Sequence, residues 1–234
     1  MPQFPGKFFK LSKVQLSKKA KKHGKSTFGQ ARSKNDFQRR QGQKPPSKVV
    51  IIVCEGKETE PNYFEALRQK FRLSTLNVRL VPGKGAPINV VDCGIDEKRK
   101  VEEPTDEIWC VLDTEAPDKN SSLLPAIEKA KKVNLNLAIS NPSFEYWYFI
   151  HFECSNRPFA NGREMKRKIK SYIPDYNESM RVFPILDSLT PEAIKNANKL
   201  RERSQESWDI FPNPSTGVDK LVQEIIEMGR TKRY

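Results

Sequence analysis

The run Val49-Val50-Ile51-Ile52-Val53 constrains this chain more than any other feature. It is short, β-branched, uninterrupted and bounded by polar residues, the pattern of a strand buried on both faces. A helix is expected next. Pro61 suits its first turn, Tyr63, Phe64, Leu67 and Phe71 recur at near-helical spacing, and Arg68, Lys70 and Arg72 mark its end. The alternation then continues. Asn77 to Val81 reads as a strand, PGKGAP as an irregular loop, and Ile88 to about Lys100 as a helix. Glu107 to Leu112 reads as a third strand, Ser121 to Lys132 as a helix with Ala126, Ile127 and Ala130 on one side, and Leu135 to Ile139 as a fourth strand. Strands and helices in this order imply right-handed βαβ crossovers and a mainly parallel sheet covered by helices, a Rossmann-like α/β fold.

Beyond the fourth strand, Asn141 has the chemistry of an N-cap and Pro142 that of a first helical residue, which predicts a buried aromatic helix from Phe144 to Phe152. Three further helices are expected, at Glu164 to Tyr172, Pro191 to Arg203 and Thr216 to Met228. The last carries Val218, Leu221, Val222, Ile225 and Ile226 at amphipathic spacing. The division predicted is a core over 47–153 and a helical C-terminal extension over 154–234.

Charge is distributed unevenly. The 234 residues, enough for one α/β domain, carry a formal net charge of +13. Residues 1 to 46 hold 13 of the Lys and Arg side chains and a single acid, Asp36, whereas the remainder is nearly balanced. This tail lacks periodicity and reads as disordered when free. Its cations, including Lys18, Lys19, Lys21 and Lys22, are interleaved with Phe4, Phe8, Phe9, Phe28 and Phe37. Such a mixture suits a nucleic-acid strand, the cations meeting phosphates and the rings meeting bases. Packing of the rings onto the body of the chain or onto a partner protein has equal weight.

No apolar run approaches the ~20 residues that cross a bilayer, and the basic N-terminus does not read as a secretory signal. A soluble cytoplasmic protein without membrane association is expected. Cys54, Cys93, Cys110 and Cys154 are dispersed without CxxC or zinc spacing, as reduced core thiols would be.

Three acids stand just beyond predicted strands. Glu55 follows the first, while Asp113 and Glu115 close the third. Open α/β sheets build their sites at these carboxyl ends. Residues two apart in an extended backbone point to the same side, and a neighbouring strand brings Glu55 beside them. Singly, each is an ordinary solvated loop acid. Together they suit a hard divalent cation, Mg²⁺ above all and Mn²⁺ as a substitute.

The segments Cys54-Glu55-Gly56-Lys57-Glu58-Thr59-Glu60, Val111-Leu112-Asp113-Thr114-Glu115 and Ser140-Asn141-Pro142-Ser143-Phe144-Glu145-Tyr146-Trp147 together resemble the RloB-like family, whose core is similar to a TOPRIM domain. The resemblance spans roughly residues 47 to 230. It implies a TOPRIM-like sheet with Glu55 as the acid after the first strand and Asp113 and Glu115 as the later acidic pair, here D-T-E where TOPRIM domains carry D-x-D. It further implies a metal-dependent nuclease of DNA or RNA, an AAA-type ATPase companion and a role in abortive-infection defence; a homo-oligomer is compatible with it.

Within that reading Glu55, Asp113 and Glu115 are both catalytic and metal-binding, with Lys57 as a phosphate contact near the metal. Glu145, in the first turn of its helix, and Glu60, at a helix entrance, join the metal set, although both positions also suit a helix dipole. Lys84, Lys166, Lys168 and Lys170 are candidate nucleic-acid contacts, and a solvated surface is their ordinary role. His151 reads as a hydrogen-bonded core residue. The rival reading is a TOPRIM-derived binding module whose acids are structural.

Overall fold

In the computed structural model the described residues are 48–75, 77–101, 103–115, 121–204 and 212–231, all within one compact unit, Lys44–Tyr234. The basic tail, with Lys18, Lys19, Lys21 and Lys22, lies outside them. Val50–Cys54 forms β1, buried along its whole length. Thr59–Lys70 forms α1, Val78–Val81 β2, Pro87–Arg99 α2, Glu107–Asp113 β3, Leu123–Lys132 α3 and Asn136–Asn141 β4. β1 pairs in parallel with β2 and β3, and β3 with β4. The resulting order, β2-β1-β3-β4 with a short fifth strand at the edge, reverses direction between β1 and β3. That reversal opens a crevice at the carboxyl ends of these two strands, where sheets of this kind place their ligands.

Alternation of side chains explains why β1 is apolar throughout. Val50, Ile52 and Cys54 face one layer, with Trp109, Val111 and Ala138 from the neighbouring strands. Ile51 and Val53 face the other, with Ile108, Cys110 and Leu112. Val90 and Val91 of α2 and Leu123, Ala126, Ile127 and Ala130 of α3 cover the second face. The first is covered by α1 and by the described helices of the C-terminal third of the chain.

That third differs from the extension predicted by sequence. Its elements are α4 (Glu145–Phe149), α5 (Gly162–Ile169), α6 (Phe183–Leu186), α7 (Thr190–Ser204), β5 (Ser215–Thr216) and α8 (Val218–Thr231). Val218, Leu221, Val222, Ile225 and Met228 of α8 share one core with β1, β3 and β4, so these helices form a layer of the sandwich. Lys48 Nζ fastens α8 to the sheet through Glu224 Oε1 at 2.5 Å and Glu107 Oε1 at 2.6 Å. A sheet needs both faces covered, and α1 alone is too small to cover this one.

Two local expectations also change. Asn141 is the last residue of β4, paired antiparallel with Ser215, while Ser140 pairs with Thr216. Asn141 is therefore committed to the sheet, and the helix starts later, at Glu145. Thr216 belongs to β5 instead of opening the last helix; a two-residue strand is too short to leave a periodic signal, yet it satisfies the open edge of β4. After Phe149 the chain tightens, with His151 N–H donating to Tyr148 O at 3.2 Å and Phe152 N–H to Phe149 O at 3.0 Å.

Candidate active site at the sheet switch point

The crevice between β1 and β3 is walled by carboxylates. Glu55 leaves the end of β1, and its Oε2 accepts from the Asp113 main-chain N–H at 3.1 Å. Gly56 N–H donates to Glu60 Oε1 at 3.1 Å, which folds the first turn of α1 back onto the strand end. Glycine lets this contact be close, because a Cβ on residue 56 would stand 2.3 Å from Glu60 Oε2 and the carboxylate would have to move. Glu145 enters from the start of α4 and is only 2% exposed, while Glu60 is 4% exposed.

The acids differ in their partners. Glu145 accepts from Ser143 Oγ at 2.6 Å and from the Tyr176 hydroxyl at 2.8 Å. Lys166 Nζ lies 3.8 Å from Glu145 Oε1 and 2.6 Å from Glu178 Oε1. Asp113 is less well served, since its buried Oδ1 has no hydrogen-bond partner among the described residues. Burial, reinforced by the charges of Glu60, Glu145 and Glu55, pushes the Asp113 carboxyl well above the usual carboxylate range; the Phe144 N–H opposes this only in part. Burial likewise lifts Glu55 to about 7, opposed by the Asp113 N–H and aided by Glu60 and Glu115. Glu60 is raised by burial and by Glu145, with Lys166 acting against it. Like charges gathered in a poorly solvated crevice raise one another's pKa values, and such a group is a candidate functional site.

Glu115 stands differently from its neighbours. The strand ends at Asp113, and Glu115 adopts a left-handed backbone with φ of 52°, its N–H donating to Pro142 O at 2.7 Å. The extended alternation that would align it with Asp113 therefore stops one residue too early. Glu115 is exposed, although close enough to raise the Glu55 carboxyl.

Lysines around the crevice have distinct surroundings. Lys57 is exposed at its mouth, packed over Gly83, where a Cβ would meet Lys57 Cγ at 2.8 Å and φ is +73°. Lys84 is half-buried in a loop whose main chain is committed: the N–H groups of Gly83, Lys84 and Gly85 donate to the carbonyls of Gly56, Cys54 and Glu55. PGKGAP thus clasps the Glu55 loop, and its amides are not free to cradle phosphate. Lys168 pairs with Glu153 at 3.3 Å, while Lys170 is exposed. Ser143 and Tyr176 were not found by sequence reasoning. Ser143 had a signal, two residues before Glu145 in the same motif; Tyr176 had none, because only the fold brings it to Glu145.

His151 is buried, with Nδ1 2.8 Å from Trp147 O, while its Nε2 is buried without a hydrogen-bond partner among the described residues. Cys54 and Cys110 are buried free thiols, whereas Cys93 and Cys154 are half-buried. No described helix is long and apolar enough to cross a membrane.

The oxygen-only donors, and Asp113 Oδ1 without a partner, fit a hard divalent cation chemically. Among the described residues, no three His, Cys, Asp or Glu side chains already converge as a metal cluster. Glu145 has both oxygens occupied by protein donors, Glu55 and Glu60 each accept a main-chain N–H from Asp113 and Gly56, and Asp113 Oδ1 and the exposed Glu115 complete the acids within reach of the crevice.

A comparison with curated proteins gives no match. Among solved structures, a de novo designed Rossmann fold protein is similar over 53% of this chain and 96% of its own, at 17% identity and a TM-score of 0.29. The family model described as RloB-like protein matches residues 50–225, from the first residue of β1 into α8. The chain belongs to the RloB-like family.

Proposed function

We propose that this protein is a metal-dependent, TOPRIM-like nuclease that hydrolyses phosphodiester bonds of DNA or RNA. The observation that carries the reading is the meeting of Glu55, Glu60, Asp113 and Glu145 at the sheet switch point, with mutual charge effects among them and an unpartnered oxygen on Asp113. Mg²⁺ or Mn²⁺ held by Asp113 and Glu115, with Glu55 alongside, would neutralise a phosphate and acidify water. Glu55, lifted to about 7, exchanges a proton near neutral pH, and the Asp113 N–H fixes the oxygen that does so. Lys57, at the crevice mouth, meets the phosphate backbone. Lys166 supplies positive charge beside Glu145 and limits the repulsion among the acids.

The basic tail adds nonspecific affinity for the same substrate, and an AAA-type ATPase is the proposed companion in abortive-infection defence. The binding-module reading draws on one observation: Glu145 and Glu60 already accept protein donors, as structural acids do.

The test is cleavage of labelled DNA and RNA by wild type and Asp113→Ala, with Mg²⁺, Mn²⁺ or EDTA, with and without the ATPase. Metal-dependent cleavage lost in the variant supports the nuclease. Binding without cleavage in every condition supports the module. Deleting residues 1–46 should reduce the salt dependence of binding.

A further inference from the structure

On the other side of α5 from Lys166 the surface holds a cavity of about 380 Å³, lined by Phe149, Ser155, Arg157, Phe159, Arg167 and Ser171 among others. Its two acids have protein partners and are outnumbered by three cations, Arg157, Arg167 and Lys168. Glu153 accepts from the Tyr172 hydroxyl and pairs with Lys168 at 3.3 Å, and Glu164 Oε2 accepts from the Ala160 N–H at 2.7 Å. Lys168 is also spent, its Nζ lying 5.5 Å from the Phe149 ring centroid and 5.1 Å from that of Tyr172. Arg157 and Arg167 remain. Both are exposed, and neither guanidinium has a partner among the described residues.

We propose that this cavity is a second nucleic-acid subsite, in which Arg157 and Arg167 grip backbone phosphates of a single strand that continues to the acidic crevice. Two free guanidinium forks above an apolar floor match phosphate recognition better than a point charge would. The cavity also lies close to the crevice along α4, because Phe149 is one turn beyond Glu145 and a helical turn rises about 5.4 Å. Beside the cavity, Phe152 and Tyr172 stack at 4.8 Å with 7° between their planes. The subsite rests on the nuclease reading for its substrate class, and it concerns residues outside the acidic site.

The experiment uses the full chain and compares wild type, R157Q/R167Q and R157K/R167K. Fluorescence anisotropy measures binding of labelled single-stranded DNA, single-stranded RNA and an acidic peptide from 50 to 200 mM salt. Steady-state cleavage is read separately. The Gln variant is expected to bind roughly tenfold more weakly at low salt and to lower the salt slope by about 1.4, near 0.7 for each phosphate lost. KM should rise with kcat unchanged, and the Lys variant should recover the slope. The DNA and RNA arms identify which strand the subsite takes. Unchanged affinity and slope for both strands, or a loss confined to the acidic peptide, overturns the subsite. If no protein cleaves in any metal while the Gln variant still loses strand binding, the nuclease reading fails and the subsite stands.

Discussion

The main-chain N–H of Asp113 donates to the side chain of Glu55 across the β1–β3 pair, at 3.1 Å. One hydrogen bond therefore links the two strand ends that bracket the sheet reversal. It holds a Glu55 oxygen at the end of β3 while leaving Asp113 Oδ1 without a partner. The site is consequently organised around carboxyls whose ionisation the surrounding protein opposes.

Asp113→Asn should stabilise the metal-free protein at neutral and higher pH, because it replaces a carboxyl whose ionisation is opposed by burial and by Glu60, Glu145 and Glu55. The expected gain is on the order of 1 kcal/mol, or a Tm rise of about 2–4 °C for a domain of this size. Mg²⁺ should raise the wild-type Tm and leave that of the variant almost unchanged. Thermal melts with EDTA and with excess Mg²⁺ check both statements; a lower Tm in the metal-free variant would show that the charge is compensated in a way the geometry does not reveal.

Gly56→Ala should disturb the site more than the fold. A Cβ at this position would press on Glu60 Oε2 from 2.3 Å, so the carboxylate must swing away from the Gly56 N–H. Loss of this bond and displacement of Glu60 should cost about 1–3 kcal/mol and most of the metal response. Denaturant unfolding with and without Mg²⁺ separates the two effects.

Arg201 and Asp219 join α7 to the first turn of α8. Asp219 is fully buried, and its Oδ1 accepts from Arg201 at 2.5 Å. Arg201→Ala leaves a buried carboxylate without its cation and should cost about 3–5 kcal/mol. Adding Asp219→Asn should recover part of that loss, since the stranded charge disappears. Urea unfolding of the two single variants and the double variant measures the coupling.

His151 should contribute an acid-sensitive part of the stability. Burial pushes its imidazole from 6.5 down to about 4, against the pull of the Trp147 and Tyr148 backbone. The unfolded chain takes up this proton at higher pH than the folded one. The stabilising contribution is thus complete above about 6.5 and is lost as pH falls toward 4, a total of about 3 kcal/mol. The raised carboxyls of Glu55, Glu60 and Asp113 act with the opposite sign in both proteins, so the difference between the two curves isolates the imidazole: from pH 7.5 to 4.5 the stability of His151→Gln should fall less, or rise more, than that of wild type, as followed by urea melts at pH 7.5, 5.5 and 4.5.

The acidic centre was legible in sequence to the extent that it follows from strand ends. Glu55 and Asp113 are placed by a rule of sheet geometry: an apolar run terminates, and the next polar side chain lies at the carboxyl edge. Glu145 and Glu60 were legible through the family motif and their helix starts. Glu115 was read with the wrong backbone, because alternation holds only inside a strand and φ turns positive at this residue. Lys166 and Lys168 looked like free cations because charge runs do not reveal which acids return to them from distant segments. Their partners, Glu178 and Glu153, are brought close by the turns around α5.

By itself the sequence determined the alternating elements, the parallel sheet and the carboxyl ends at which acids gather, because each depends on side-chain periodicity within a few residues. Tertiary structure decided which cations stay free, that Tyr176 and Ser143 hold Glu145, and that the C-terminal helices form a layer of the sandwich. It also placed β5 against the edge of β4. Those outcomes depend on burial and on partners far apart in the chain, and local periodicity carries no information about either.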